Sequence, residues 1–431
     1  MPVLLYVLAV AVFAQGTSEF VLAGLVPGIS ADLGITIAQA GYLTSGFAVG
    51  MVVGAPLTAA LGRRLPPRWT LTGCLLVFVA AHAAGALTDQ FAVLLVSRFV
   101  AALANAGFLA VALSTVTAVV PAGKQARALA AILSGTTLAL IAGVPAGAFL
   151  GEIWGWRSAL WAIAGVSALA LATVAILTPA RLEPREPGVR TDLRAELGTL
   201  RSPELLRYLM LGVLVNGATF CAFTYLAPLV TDGAGLGSSL VPVILALFGL
   251  GAFAGVTTAG RLADAHGRLV LRVAAPALLA GWILWALLAE RPSAVWVLAP
   301  VLGALSFAVG GTLIARSMAA AHGAPTMGGA YSTVALNLGA LVGPVFGGLA
   351  IGPLGLVGPL VVSATLAAAA VVLWFATSRR RATAPRADLA LPGLTGGDSA
   401  WHTFLTMHLL PGSRGVVKRS VQVMRLVRRV A

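Results

Sequence analysis

Two ionisable side chains stand inside long apolar runs of this chain. Glu19 is the one acid well inside the first run, and Arg98 lies inside the fourth. A charge in hydrocarbon is costly unless it faces protein or water, so each needs a partner or a task. For Glu19 the chemistry on offer is proton exchange: a desolvated carboxyl can take up a proton near neutral pH, so that binding a proton and binding a cationic or polar ligand exclude one another. The plainer alternative is a structural cap or hydrogen-bonded anchor near the outer surface. Arg98 lies seven residues in from Phe91 and Glu19 eight residues before Pro27. At about 1.5 Å per residue both sit roughly 10 to 12 Å below the same boundary, a depth at which an ion pair can form. A purely structural buried arginine is the alternative there. Asn105, two turns below Arg98, falls on the same helical face.

Other chemistry finds no support. The five histidines (82, 266, 322, 402 and 408) form no HExxH pattern and no metal site is expected. The two lysines, Lys124 and Lys418, lack a GxxxxGK context, so an ATP-driven pump would need a separate ATPase subunit. No GxSxG is present, which argues against a serine hydrolase. Cys74 and Cys221 sit in apolar stretches about half the chain apart and read as small buried hydrophobes rather than a disulfide.

The elements that must position Glu19 and Arg98 follow from composition. Of 431 residues, 59% are hydrophobic and 10% charged, against about 25% charged in a soluble domain. That excludes a cytosolic enzyme, a nucleic-acid binder and a disordered chain. Runs of spanning length fall at roughly 4 to 27, 39 to 61, 69 to 88, 91 to 120, 127 to 150 and 158 to 178, then 207 to 230, 239 to 261, 273 to 289, 294 to 317, 329 to 350 and 356 to 377. The pattern predicts an all-α integral membrane protein of twelve transmembrane helices. The first run lacks a basic n-region and a cleavage site, and is read as a retained span.

Four regions follow: a six-helix half at 1–178, a charged and proline-rich cytoplasmic linker at 179–206, a second six-helix half at 207–377, and a basic cytoplasmic tail at 378–431. The end of the tail reads either as disordered or as an amphipathic helix, with Val417, Val421, Met424, Val427 and Val430 broadly opposite Lys418, Arg419, Arg425 and Arg429. The net charge of +14 does not point to nucleic acid, because the basic residues lie between apolar runs. With the N-terminus inside, 25 of the 28 lysines and arginines fall at cytoplasmic junctions or in the tail, which predicts both termini in the cytoplasm.

Landmarks recur at an offset of about 200 residues. Gly62-Arg63-Arg64 closes the second run, and the fuller sequence from Gly260 through Asp264 to Gly267-Arg268 closes the eighth. Gly143-Val144-Pro145-Ala146-Gly147 in the fifth is matched by Gly343-Pro344 to Gly348 in the eleventh. Duplication into two pseudo-symmetric halves, with a central cavity between them, explains this. At these residues the chain resembles a major facilitator superfamily transporter of the twelve-span drug:proton antiporter type. Gly54-Ala55-Pro56-Leu57 through Arg64 is similar to the family's gating motif, and Arg98 with Asn105-Ala106-Gly107 to its proton-coupling motif. Gly135 to Gly151 around Pro145, followed by Trp156-Arg157, resembles the antiporter signature, and Gly16 to Phe20 with Ala23-Gly24-Leu25 resembles the arabinose-efflux and chloramphenicol-efflux branch. The likeness covers about residues 1 to 378. It departs at Ala59, where the family usually has an aspartate, and in the tail.

The resemblance implies the major facilitator fold in the plasma membrane, no cofactor, no nucleic acid, and a monomer whose partners are a small molecule, protons and the lipid bilayer. It implies proton coupling by Glu19 and Arg98, and gating or close packing at Gly62, Arg63, Arg64, Gly143, Pro145, Gly147, Gly151, Asp264, Gly267 and Arg268. In the spans that line the family's cavity, the candidate substrate contacts are Gln15, Asn105, Asn216, Thr219, Phe220, Phe223, Tyr225, Tyr331 and Asn337. Each of these could instead be an interhelical hydrogen bond. Such a set suits an amphiphilic, aromatic, mostly uncharged ligand. The implied function is proton-coupled export of a small antibiotic, chloramphenicol above all, with sugars or nucleosides as the alternative. A channel or membrane-embedded enzyme is the remote reading, with no filter sequence or catalytic dyad to support it.

Overall fold

The computed structural model describes residues 3–61, 66–121, 124–178, 193–324 and 327–383. In hydrocarbon every backbone N–H and C=O must be satisfied within the chain, which permits helices and closed barrels only. The apolar runs become helices: α1 (Val3–Phe20), α2 (Leu22–Leu33), α3 (Ile37–Leu61), α4 (Pro67–Leu87), α5 (Phe91–Val119), α6 (Gln125–Leu138), α7 (Val144–Trp154) and α8 (Trp156–Leu177). The short α9 (Leu193–Gly198) precedes α10 (Pro203–Thr224), α11 (Leu226–Pro228), α12 (Val241–Leu287), α13 (Pro292–Ala320), α14 (Gly328–Leu354) and α15 (Gly358–Thr383). Among the described residues, eleven apolar segments are long enough to cross a membrane. The last of them, Gly328–Thr377, holds two helices parted at Gly355–Val357, which brings the spans to twelve.

Three boundaries differ from the sequence reading. The first span is broken by a turn at Val21, where the N–H of Gly24 bonds the Val21 carbonyl and α2 carries the chain on to Leu33. The fifth passes through a π-helical turn, Ala139–Gly143, because Pro145 has no N–H to continue the ladder. The eighth and ninth apolar stretches, 238–262 and 267–287, lie on α12 from Val241 onward, which is helical throughout where a junction was expected; no proline interrupts it before Pro276. The described residues up to Phe375 form one compact unit. The expected tail lies outside the described residues from 384 onward.

Small residues set the helix contacts. A methyl group built on Gly143 would lie 2.0 Å from Thr17 Oγ1, one on Gly147 2.4 Å from Val21, and one on Gly151 2.4 Å from Leu25. With Gly135 against the backbone of Ala9 and Phe13, the stripe lays the fifth span on the first with no side chains of its own between them. The same seam recurs 204 residues on: Gly339 meets Val213 and Gly217, and Gly347 meets Cys221 and Tyr225. The break at Val21 has its counterpart at Tyr225, between α10 and α11. A second contact repeats at 201: Gly50 on the Phe99 carbonyl, and Gly251 on the Pro300 carbonyl. Packing therefore pairs Gly143 with Gly347 rather than with Gly343, and Pro145 has no proline counterpart.

The end of the bundle away from the N-terminus is tied by Arg157, at the start of α8. Its guanidinium bonds Asp32 at the end of α2, Asp89 and the Thr88 carbonyl in the α4–α5 loop, and covers the Trp156 ring at 4.4 Å. Gly155, with φ of 80°, makes the sharp α7–α8 joint that puts Trp156 and Arg157 there. Asp32 and Asp89 are 46% and 90% exposed, so the clamp is solvated.

Two predictions follow from this packing. Gly143→Val and Gly347→Val each lower stability by about 1 to 3 kcal/mol, the cost of overpacking, whereas Gly165→Ala, which meets nothing within 4 Å, leaves it unchanged. Thermal melts in detergent decide this, and a Gly143→Val protein as stable as wild type contradicts it. At the clamp, the hydrogen bond from Arg157, and then that from Trp156, holds the Asp32 carboxyl below the usual carboxylate range. A lowered native pKa adds stability above the unfolded value of about 4 and loses it as pH falls through the native one. Asp32→Asn thus lowers the melting point at pH 7 by less than the equivalent of about 1 kcal/mol, as an exposed pair should. The gap to wild type closes in strong acid; a gap independent of pH contradicts the account.

Candidate functional site

Arg98 is 2% exposed and belongs to α5, yet its hydrogen bonds go to α1. One terminal nitrogen donates to Ser18 Oγ at 2.8 Å and the other to the Ser18 carbonyl at 2.5 Å. Ser18 lies in the last turn of α1, where carbonyls lack intrahelical donors and the helix dipole favours a cation. The Phe47 ring covers the guanidinium at 4.7 Å. Ser18 Oγ also lies 2.7 Å from His82 Nε2, and His82 Nδ1 lies 2.8 Å from the Phe78 carbonyl. The sequence reading missed His82; a histidine inside an apolar run was the available signal.

Glu19 is adjacent to Ser18 but only partly buried. No ion pair within 4.0 Å joins Arg98 and Glu19. Gln15, one turn back on the same face, is 1% exposed and neither its amide oxygen nor its nitrogen has a partner. The next residue, Phe20, opens a series of aromatic contacts across the molecule. Its ring lies 5.7 Å from Phe220 and 6.3 Å from Phe223; Phe223 lies 4.8 Å from Phe248, and Phe248 6.4 Å from Phe307. The structure thus brings together Glu19, Arg98, Gln15, Phe220 and Phe223, and adds Ser18, Phe20, Phe47, His82, Phe248 and Phe307.

The other candidates are spread more widely. Asn105 is 5% exposed with a 3.7 Å contact to Met51 Sδ, and Thr219 bonds the Val215 carbonyl of its own helix. Asn216 bonds the Leu336 carbonyl at 2.7 Å, joining α10 to α14, and Asn337 bonds the Thr333 carbonyl. Tyr225 is fully buried and donates to the Pro344 carbonyl at 2.7 Å, its hydroxyl wedged between Gly41 and Gly348. With Ser45 bonding the Leu341 carbonyl at 2.9 Å, it closes the far half of the α3–α14 seam. Tyr331 stands at the opposite end, where it donates to the Glu196 carbonyl of α9 at 2.9 Å. Glu196 itself accepts from the Met327 N–H at 2.8 Å, so the linker helix is docked on the start of α14.

Among the gating candidates, Gly143, Gly147 and Gly151 pack the fifth span against Thr17, Val21 and Leu25 of the first, with Pro145 on the same span. Gly267 packs under the Arg316 guanidinium and Arg268 is exposed. Gly62, Arg63 and Arg64 lie outside the described residues, as does the side chain of Asp264. Ala59 packs against the apolar cluster of Leu205, Met327 and Tyr331, a contact from α3 to the second half at the N-terminal end of the bundle. At the far end a cleft of about 80 Å³ runs between α2, α7 and α12, lined by Gly24, Pro27, Gly151, Glu152, Thr231 and Pro242.

Comparison with known proteins places this arrangement. Residues 8–335 match the sequence model of the Major Facilitator Superfamily. The chain is 54% identical over 389 residues to a chloramphenicol resistance protein of Streptomyces lividans, covering 90% of this chain and 99% of that one. It is 32% identical to the inner membrane transport protein YdhP of Escherichia coli K12, over 88% of this chain and 96% of that one. In fold it is similar to a bacterial homologue of the human lysosomal transporter Spinster in an inward-facing, unoccupied conformation, with a TM-score of 0.69 at 17% identity over 87% and 96% of the two chains. Twelve apolar spans in two repeated halves and a match across most of the chain lead to one assignment: this multi-pass membrane protein belongs to the Major Facilitator Superfamily, as a transporter and not an enzyme.

Proposed function

We propose that the chain exports chloramphenicol, or a closely related phenicol, in exchange for protons that enter on Glu19. The observation that carries this reading is the set of unmet groups on one face of the first span. The amide of Gln15 is buried without a partner, and the Glu19 carboxylate one turn on has no hydrogen bond among the described residues. Beside them stand the edges and faces of Phe20, Phe220 and Phe223. An uncharged nitrophenyl ring bearing hydroxyls and an amide answers both needs: it replaces one ring contact and offers donors and acceptors to Gln15 and Glu19. The 54% identity to the Streptomyces lividans chloramphenicol resistance protein supports the choice of drug.

Proton and drug compete for the same carboxylate. Drug hydroxyls donate to ionised Glu19; protonation takes away the charge that strengthens those bonds and releases the drug. Arg98 is buried beside Ser18, the residue before Glu19, and proton uptake on Glu19 comes from the outer side. The two six-helix halves, 1–178 and 207–377, rock about this centre, with both termini in the cytoplasm and the protein acting as a monomer. In the outward-open state the seam closed by Ser45, Tyr225 and the Glu152–Ser238 hydrogen bond parts, while the apolar contact of Ala59 tightens.

Cells expressing the chain accumulate less labelled chloramphenicol than cells with an empty vector, and a protonophore abolishes the difference. Glu19→Gln, confirmed in the membrane, accumulates as the vector control does. Full gradient-driven export by Glu19→Gln contradicts the proton role, and accumulation equal to the vector with wild-type protein contradicts the drug assignment. Phe220→Ala lowers the affinity of purified protein for chloramphenicol by about tenfold, the effect of one lost aromatic contact with its burial. Equilibrium binding measures it, and an unchanged Kd removes the ring from the site.

A further inference from the structure

The buried chain from Arg98 through Ser18 to His82 has its hydrogens fixed by chemistry. The Phe78 carbonyl can only accept, so His82 Nδ1, 2.8 Å away, carries a hydrogen. A guanidinium can only donate, so Ser18 Oγ accepts from Arg98 at 2.8 Å. The serine hydrogen then points at His82 Nε2, 2.7 Å away, which accepts it. His82 is therefore a neutral imidazole protonated on Nδ1, and a second proton on Nε2 would put two cations on one hydroxyl. The groups around it are few. α1 supplies Ser18 and Glu19, α5 supplies Ser97 and Arg98, and α8, also packed on α4, has no ionisable residue after Arg157.

This arrangement decides where the arginine goes. Both terminal nitrogens of Arg98 are taken by Ser18, on its hydroxyl and its carbonyl, and neither by the carboxylate of the next residue. Ser18 and His82 are 0% and 2% exposed, so no water competes for these bonds. We infer that His82 is a positioning residue for proton exchange: through Ser18 it keeps Arg98 docked on the end of α1 and off Glu19, which leaves that carboxyl free to take up a proton. The inference rests on the reading of Glu19 as proton carrier. It differs from that reading in assigning the control to a hydrogen-bonded pair, one member of which sits on α4, away from the ligand.

The test is the rate at which dicyclohexylcarbodiimide modifies Glu19 in the full-length protein in liposomes, read by mass spectrometry. The reagent adds to protonated carboxyls in apolar surroundings, so a direct ion pair with Arg98 protects Glu19. Wild-type Glu19 reacts. Ser18→Ala and His82→Leu let Arg98 turn to Glu19 and slow the reaction by about tenfold, the equivalent of one charge-assisted hydrogen bond gained by the carboxylate. Ser18→Thr, which keeps the hydroxyl, and His82→Gln, which keeps an acceptor and a donor, react as wild type does. Thermal melts in detergent report a misfolded variant; if His82→Leu fails in this way, Ser18→Ala and its threonine partner decide alone. Unchanged labelling in Ser18→Ala, or an unreactive Glu19 in wild type, overturns the inference. Modified Glu19 in a protein whose drug export ignores the proton gradient would instead overturn the proton-carrier reading and leave the geometry of Arg98 standing.

Discussion

A guanidinium that reaches no water obliges its neighbours to supply oxygen atoms, and the first span is shaped around that obligation. The helix breaks at Val21, and Ser18, in the turn before the break, gives Arg98 both a hydroxyl and a carbonyl. A continuous helix would have kept that carbonyl for its own ladder. The break and the buried charge therefore support each other: the cation stabilises the helix end, and the helix end takes both terminal nitrogens of the cation. The side chains that then face the centre of the molecule, Gln15, Glu19 and Phe20, are those of the turns just before the break.

The contact that holds this span in place has side chains from one helix only. Gly143, Gly147 and Gly151 bring the fifth span onto Thr17, Val21 and Leu25 at distances that exclude a methyl group. In lipid the hydrophobic effect gives helices little reason to associate, so close backbone approach and dispersion must supply the attraction. The π-helical turn before Pro145 keeps the glycines in register with a helix that is itself interrupted. Seam and charge cluster thus occupy different faces of one helix, so α1 is fixed from one side while its polar face stays directed at the centre.

Much of this was legible in the sequence because the bilayer permits few solutions. Twelve apolar runs, the glycine stripe and the isolated charges Glu19 and Arg98 could be read directly. The direct Glu19–Arg98 pair could not be judged from matched depth, since Ser18 lies at nearly the same depth and one residue's rotation decides which oxygen the arginine meets. Tyr225 and Tyr331 look alike as polar aromatics near the second half's cavity. Their places differ because one backs onto glycines at 41 and 348, while the other meets a linker helix, 193–198, whose docking depends on a buried carboxylate that reads in sequence as one more solvated charge. The repeat was visible, but its register was not. Gly-Pro landmarks suggested an offset near 200, whereas the packed glycines repeat at 204 in one seam and 201 in the other.

With the registers known, the two halves can be compared position by position, and the comparison shows where chemistry was placed. The frame is duplicated: glycine seams, helix breaks and carbonyl contacts recur in both halves. The charges do not. At the 204 offset Ser18 corresponds to Ala222 and Glu19 to Phe223, and at the 201 offset Arg98 corresponds to Ala299. One half presents a carboxylate and a guanidinium at the positions where the other presents an aromatic ring and a methyl group. Across the seam Phe20 of the first half meets Phe220 and Phe223 of the second, so the aromatic wall is shared while the ionisable groups are not. A symmetric pair of carboxylates would have put two charges in one low-dielectric centre, each disfavouring the other. Keeping the charge on one side leaves the opposite wall apolar, and a ligand between them can then be amphiphilic without having to be ionic.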